Sequence, residues 1–317
     1  MFRYEKDQKV FKIAGIKIGG QFGENPPVLI GNMFQKGDSL LESRKELRFN
    51  KKEAENRIRE FEKISRETGI SGLIAMVANS EEEIRCYIDF FISVTEMPFA
   101  IDIWQEKIRL AAARYIAQKG LQDRVLYNSI TPWDEDIPSQ VSELRELGIK
   151  HVVVQVFDVD DKMSSGRLKS LRRLLPLVEK GEFATILIDT AVMNLPATSF
   201  SLLANILIKN EFGLPVGFAP SNGSYLWRKS ANEKERDKFK AMDSAIHALS
   251  VLASDFLLIG PLAGMKRAFT SVAVATTLMA TFLYEEMKSL PAQDHPLNLL
   301  FPDVAKIFYD DLKGRQA

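Results

Sequence analysis

Eight short apolar runs punctuate the chain, and a segment with helical spacing follows each of them. The runs are Val28–Phe34, Gly72–Val77, Pro98–Asp102, Arg124–Ser129, His151–Asp158, Thr185–Thr190, Leu214–Asn222 and Asp255–Pro261. Most begin about 25 to 40 residues apart, the separation that a strand, a crossover helix and two turns require. The intervening segments carry helix signals of their own. Lys51–Thr68 places Ala54, Ile58, Phe61 and Ile64 on one face and stops at Gly69, which suits a left-handed C-cap. Ser80, with Glu83 three residues on, reads as a capping box that opens a helix to Glu96. Further helices are expected over Glu106–Lys119, Asp134–Leu147, Gly166–Lys180 (kinked at Pro176), Thr198–Phe212, Ala231–Ala253 and Met265–Lys288. No Pro- or Ser-rich linker divides the series, so residues 1–317 read as one α/β domain, a (β/α)8 barrel. An open doubly wound sheet is the rival. It is disfavoured because no phosphate-binding glycine turn follows the first run. Outside the repeat, residues 10–20 (VFKIAGIKIGG) alternate around Ala14-Gly15 as a β-hairpin, and residues 302–313 give an extra C-terminal helix. The polar stretch Gln35–Asn50 separates the first run from the first helix.

Charge and rare residues narrow the function classes. The 42 basic and 42 acidic residues balance. A neutral chain has no electrostatic reason to bind nucleic acid or a charged membrane surface, and it tolerates self-association into a homo-oligomer. Cys86 is the only cysteine, which excludes an internal disulfide and a thiolate-rich metal site. His151, His247 and His295 are too dispersed for a zinc-ligand spacing, so no bound metal is expected. The first residues lack the apolar core of a signal peptide, and Phe269–Tyr284 is too short for a membrane span and reads as a buried helix. A cytoplasmic protein without membrane insertion is expected. The basic run Arg167–Arg173 reads as a solvated helix face.

In a barrel of this kind, chemistry collects at the C-terminal ends of the strands. The first run ends in Asn32, the third in Asp102, and the fourth in Asn128 and Ser129. The fifth carries Gln155 and Asp158, the sixth ends in Asp189, and the seventh in Ser221 and Asn222. The set holds carboxylates and amides and no Lys, Arg or His. Asp102 and Asp189 each follow an unbroken apolar run, so each should be half-buried and in need of donors. A carboxylate accepts two parallel N–H bonds from a planar fork, and an amide offers one donor and one acceptor. A heterocycle with a ring N–H beside an exocyclic amine, such as a pterin at N3–H and its 2-amino group, presents that fork. Nothing basic stands at the strand ends to hold a phosphate. A glycosidase pair would also use two carboxylates, but it usually draws on Glu, and no aromatic sugar platform is evident.

The segments FKIAGIKIGGQFGENP (11–26), FAID (99–102), LYNSI (126–130), LIDT (187–190) and FGLPVGFAPSN (212–222) resemble the H subunit of tetrahydromethanopterin S-methyltransferase. They also resemble the methyltetrahydrofolate–corrinoid protein methyltransferases, and the likeness spans nearly the whole chain. The resemblance implies a TIM barrel of the pterin-binding type, a homodimer, and methyl transfer between N5 of a reduced pterin and the cobalt of a corrinoid held by a partner protein. It implies tetrahydrofolate as the more expected methyl acceptor, with tetrahydromethanopterin as the alternative. Asp102, Asn128 and Asp189 would hold the pterin ring, with Ser129 and Gln155 beside them, and Asn222 would act near N5. The chain departs from the pattern at Ile103-Trp104 and at Pro220-Ser221. Two other readings stay open: a dihydropteroate synthase, which would need basic groups for a diphosphate, and a non-catalytic assembly subunit that keeps the fold.

Overall fold

The computed structural model describes residues 3–230 and 235–316. A hairpin opens the chain, with β1 (Val10–Ile13) antiparallel to β2 (Ile16–Gly19). β3 (Val28–Met33) starts the barrel. A second small hairpin, β4 (Leu41–Ser43) with β5 (Arg48–Phe49), occupies the polar stretch that precedes the first helix. The remaining barrel strands are β6 (Gly72–Val77), β7 (Phe99–Asp102), β8 (Val125–Ile130), β9 (His151–Gln155), β10 (Thr185–Asp189), β11 (Val216–Phe218) and β12 (Phe256–Pro261). All eight are parallel, and β12 pairs back onto β3 to close the barrel. The outer layer comprises α1 (Lys51–Thr68), α2 (Glu81–Val94), α3 (Glu106–Gln118), α4 (Ile137–Glu146), α5 (Ser164–Val178), α6 (Thr198–Phe212), α7 (Pro220–Ser230), α8 (Arg236–Ser250) and α9 (Met265–Met287). α10 (Pro296–Leu300) and α11 (Pro302–Gln316) follow it.

The expected helix signals act locally with small shifts. Asn50 caps α1 through the Glu53 N–H, and Gly69 closes it at φ 69°. Ser80 accepts from the Glu83 N–H as expected, but the Glu83 carboxylate reaches one residue further back, to the Asn79 N–H. It also pairs with Arg44 at 2.6 Å, so the capping box is tied to the β4–β5 hairpin. The seventh run needs a larger correction. Its strand ends at Phe218, and Pro220 begins α7. A proline fits the first helical turn because the N–H it lacks would be unpaired there. Ser221 and Asn222 therefore stand on a helix, not on a strand end. Of the helix expected over Ala231–Ala253, Arg236–Ser250 is helical, and its first residues, 231–234, lie outside the described residues.

Period-2 alternation along the strands makes two cores. Outward residues such as Ile74, Met76, Ile101, Val152 and Ile188 pack against the helices. Inward residues Ile30, Leu73, Ala75, Ala100, Leu126, Val153 and Leu187 fill the barrel together with Ile13 and Ile18 of the first hairpin. That hairpin stoppers the N-terminal end of the barrel. The next inward position above this apolar layer is Asn32, Asp102, Asn128, Gln155 and Asp189 on β3, β7, β8, β9 and β10. The strand pattern itself thus stacks a polar ring on an apolar floor.

α9 is long and apolar enough, by length and composition, to cross a membrane, and 56% of its most apolar stretch is buried against the barrel. The expectation of a buried helix holds for one side only. Val274, Leu278 and Phe282 face outward.

Candidate active site

The polar ring lines a cavity of about 350 Å³ at the C-terminal mouth of the barrel. Strand register sets its geometry. Asp102 lies level with Asn128, and Gln155 level with Asp189. Asp102 receives the Asn32 amide at 2.8 Å on Oδ2 and the Asn128 amide at 3.2 Å on Oδ1. Asp189 receives the Ala191 N–H at 2.8 Å on Oδ1 and the Gln155 amide at 3.4 Å on Oδ2. Each acid is thus held by neutral donors that satisfy part of its accepting capacity and leave acceptor sites for a ligand. Ser129 and Asn222 also line the cavity, so all six candidate residues meet in one place. Asp158 does not join them. It caps the turn after β9 through the Asp160 N–H and pairs with Lys169.

Burial governs the acid–base character of the ring. The loss of solvation pushes the Asp189 carboxyl up to about 6, and the charge of Asp102 adds to the effect. Burial also raises the Asp102 carboxyl, against the pull of Asn32 and Arg109. Both acids are therefore poised closer to neutrality than a surface Asp, as groups at functional sites often are.

Two buried arginines support the ring from the helices. Arg109 of α3 chelates Asp134 with two bonds of 2.8 Å, donates to the Tyr127 hydroxyl at 3.0 Å, and holds the Ile103 and Trp104 carbonyls. It thereby fixes the loop that leaves Asp102. Arg167 of α5 is fully buried and donates to the Thr190 and Ala191 carbonyls, immediately after Asp189. This corrects the reading of Arg167–Arg173 as a solvated face. Only the outward members are solvated, and Arg172 among them pairs with Glu211.

The ring opens into an outer, more apolar cavity of about 420 Å³. Trp104, Trp133, Met193, Tyr225 and Leu226 line it, with Gln155 and Asn222 at the junction. Trp104 is 80% exposed and lies 6.1 Å from Trp133, which in turn lies 6.1 Å from Phe157. An exposed Trp over a polar cavity offers a flat contact to whatever enters. The outer cavity brings in Met193, Tyr225 and Leu226, which the strand ends did not indicate because they stand on a loop and on α7.

Residues 6–288 match the family model described as tetrahydromethanopterin S-methyltransferase MtrH subunit. The H subunit of tetrahydromethanopterin S-methyltransferase from Methanothermobacter thermautotrophicus is 31% identical, with 93% of this chain and 98% of that protein covered. The H subunit of the putative methyltransferase mtx from Methanosarcina acetivorans is 30% identical, with 95% and 100% covered. Among solved structures, the fold is similar to dihydropteroate synthases. That of Yersinia pestis has a TM-score of 0.60 at 12% identity, covering 86% of this chain and all of that one. That of Xanthomonas albilineans has a TM-score of 0.58 at 15% identity, covering 90% and 100%. Sequence likeness over nearly the full length, joined to a closed eight-stranded barrel, shows that this chain belongs to the MtrH family of methyltransferase subunits.

Proposed function

We propose that the chain transfers a methyl group between N5 of a reduced pterin and the cobalt of a corrinoid bound to a separate protein. The observation that carries this reading is the pair of carboxylates, Asp189 buried and Asp102 half-buried, each held by neutral amides at the mouth of the barrel. They match the N–H fork of a pterin, with Asn128, Gln155 and Ser129 completing the rim. The comparisons favour tetrahydromethanopterin, the carrier in the family's description and in the name of the Methanothermobacter relative, and lend no support to the tetrahydrofolate expected from the sequence. Asp102, Asn128 and Asp189 address the ring that both carriers share, so the choice between carriers falls to the outer cavity.

The chain's own task is positioning and electrostatic help. A tertiary amine is a poor methyl source until hydrogen bonding or protonation offsets the charge change at N5, and the exposed Asn222 amide at the cavity junction is the group we assign to that atom. When bound, the partner's corrinoid supplies the cobalt that takes or gives the methyl group. The residues present suit a docked partner's cofactor and not a resident one, because the mouth is open and Trp104 and Trp133 lie exposed around it. No covalent enzyme intermediate is required. Homodimerisation and a cytoplasmic location belong to the same reading. The dimer has a matching surface: between Thr198 and Ile208, Ala241 and Ser250, and Ala268 and Tyr284, the only charged residue is Asp243, which is buried. These stretches of α6, α8 and α9 expose Leu203, Leu207, Leu249, Leu278 and Phe282.

The test mixes the protein with cob(I)alamin and either methyl-tetrahydromethanopterin or methyl-tetrahydrofolate and follows the methylcobalamin absorbance. Turnover with the methanopterin substrate is expected. Silence with both pterins would overturn the reading, and pterin binding without turnover would favour a non-catalytic assembly role.

A further inference from the structure

Asn222 reaches the cavity from α7, and its amide makes no hydrogen bond to the described residues; its backbone N–H donates to the Ala219 carbonyl at 3.0 Å. Its position therefore depends on how α7 itself is held. Three contacts behind the helix fix it. The Ser221 hydroxyl donates to the Leu258 carbonyl of β12 at 3.0 Å. Gly223 passes so close to the Asn194-Leu195 backbone that a Cβ there would lie 3.0 Å from Leu195 Cα. The Ser224 hydroxyl, fully buried, lies 2.5 Å from Asp243 Oδ1 and 3.3 Å from the Ser221 carbonyl, and its single proton goes to the nearer, anionic acceptor.

Asp243 sits on α8 at 1% exposure. Its other oxygen accepts Arg267 Nε of α9 at 2.7 Å. The same guanidinium stands 5.2 Å over the Phe239 ring, and Phe239 meets Tyr225 edge-to-face at 5.1 Å. Tyr225 is one turn along α7 from Asn222, on the side that lines the outer cavity. One buried carboxylate thus links α7, α8 and α9. Asp243 is buried and Arg267 partly so, and a largely buried ion pair gives little net stability over an apolar replacement; its best-attested use is to impose one arrangement among several.

We propose that Asp243, acting through Ser224 and braced by Arg267, is the positioning residue that sets α7 so that the Asn222 amide meets the pterin at N5. This rests on the role given to Asn222 above. Misplacement of a reacting group by a fraction of its length is costly to transfer and nearly silent in ground-state binding, which the strand-end acids control.

A double-mutant cycle on the full chain tests it, read by single-turnover methyl transfer to cob(I)alamin and by pterin affinity. Asp243→Asn removes the charge and keeps the shape. Ser224→Ala cuts only the link to α7 and leaves the Asp243–Arg267 pair intact, so it carries the test if Asp243→Asn fails to fold. Each substitution is expected to slow transfer about tenfold, with the pterin dissociation constant changed less than about twofold. In an Asn222→Ala background neither should slow transfer further. An equal slowing in both backgrounds, or no slowing in either variant, would overturn the positioning role while leaving Asn222 in place. A wild-type rate in Asn222→Ala alone would instead remove the role of Asn222, and the positioning role with it.

Discussion

At the scale of single residues, Asp189 shows what the site costs the fold. It is 4% exposed, and burial lifts its carboxyl to about 6, above the value of roughly 3.9 expected in an unfolded chain. The folded state therefore binds a proton more tightly than the unfolded one. This group's stabilising contribution is complete below about pH 4 and is lost as pH rises through about 6. At pH 7 the buried charge weighs against folding by something on the order of 2–3 kcal/mol. Asp189→Asn keeps the Ala191 N–H bond and removes the charge. Denaturant unfolding is expected to show it more stable than the wild type at pH 7 and nearly equal at pH 4. A variant less stable at pH 7 would mean that the charge is compensated in the apo fold. The sequence made Asp102 and Asp189 visible because each ends an apolar run. It made Asn32, Asn128 and Gln155 readable too, since each stands two residues beyond an inward Ile, Leu or Val. Arg109 and Arg167 were not readable. They lie on helices among solvated charges, and only the three-dimensional path of a long side chain reveals which of them turns inward.

At the scale of elements, hydrophobic periodicity gave all eight strands and most helices, because burial of alternate residues is what a barrel strand does. It failed where local chemistry competes with periodicity. Pro220 reads as a strand interruption but acts as a helix opener, which moved Asn222 onto α7. The β4–β5 hairpin was lost in a polar stretch, since its order comes from Arg44, which bonds Glu83 and the Phe34 carbonyl, and from Phe49 packed on Phe34 and Tyr87. The first hairpin was legible from its alternation, but its role as a stopper was not. Ile13 and Ile18 are fully buried in the inner core. Ile18→Ala is expected to destabilise the protein by about 2–4 kcal/mol through the cavity it leaves. Pterin affinity should stay near the wild-type value, because the apolar floor separates the stopper from the ring. Thermal unfolding with a parallel binding titration checks both halves, and loss of binding in a folded variant would show that the floor transmits the change.

At the scale of the whole molecule, the charge distribution is uneven. α1 to α5 carry ion pairs such as Arg57–Asp38, Arg114–Glu143 and Arg145–Glu182, and others such as Arg172–Glu211, Lys240–Asp237 and Lys266–Glu60 reach the ends of α6, α8 and α9, but between those ends Thr198–Ile208, Ala241–Ser250 and Ala268–Tyr284 expose Leu, Val and Phe and no charge. A flank of this kind fits a second copy of the chain. The protein is expected to be dimeric by light scattering, and Leu249→Glu with Leu278→Glu to be monomeric with the barrel intact. A monomeric wild type would remove the assignment of this flank.

In the proposed function the strand-end carboxylates hold a reduced pterin while Asn222 serves the transfer. Calorimetric titration with methyl-tetrahydromethanopterin tests it most directly. Saturable binding is expected in the wild type, weakened about 10- to 100-fold in Asp102→Ala and in Asp189→Ala through the loss of charge-assisted bonds, and changed only a few-fold in Asn222→Ala. Absence of saturable binding in the wild type, or binding indifferent to both acids, would remove the pterin from the strand-end carboxylates.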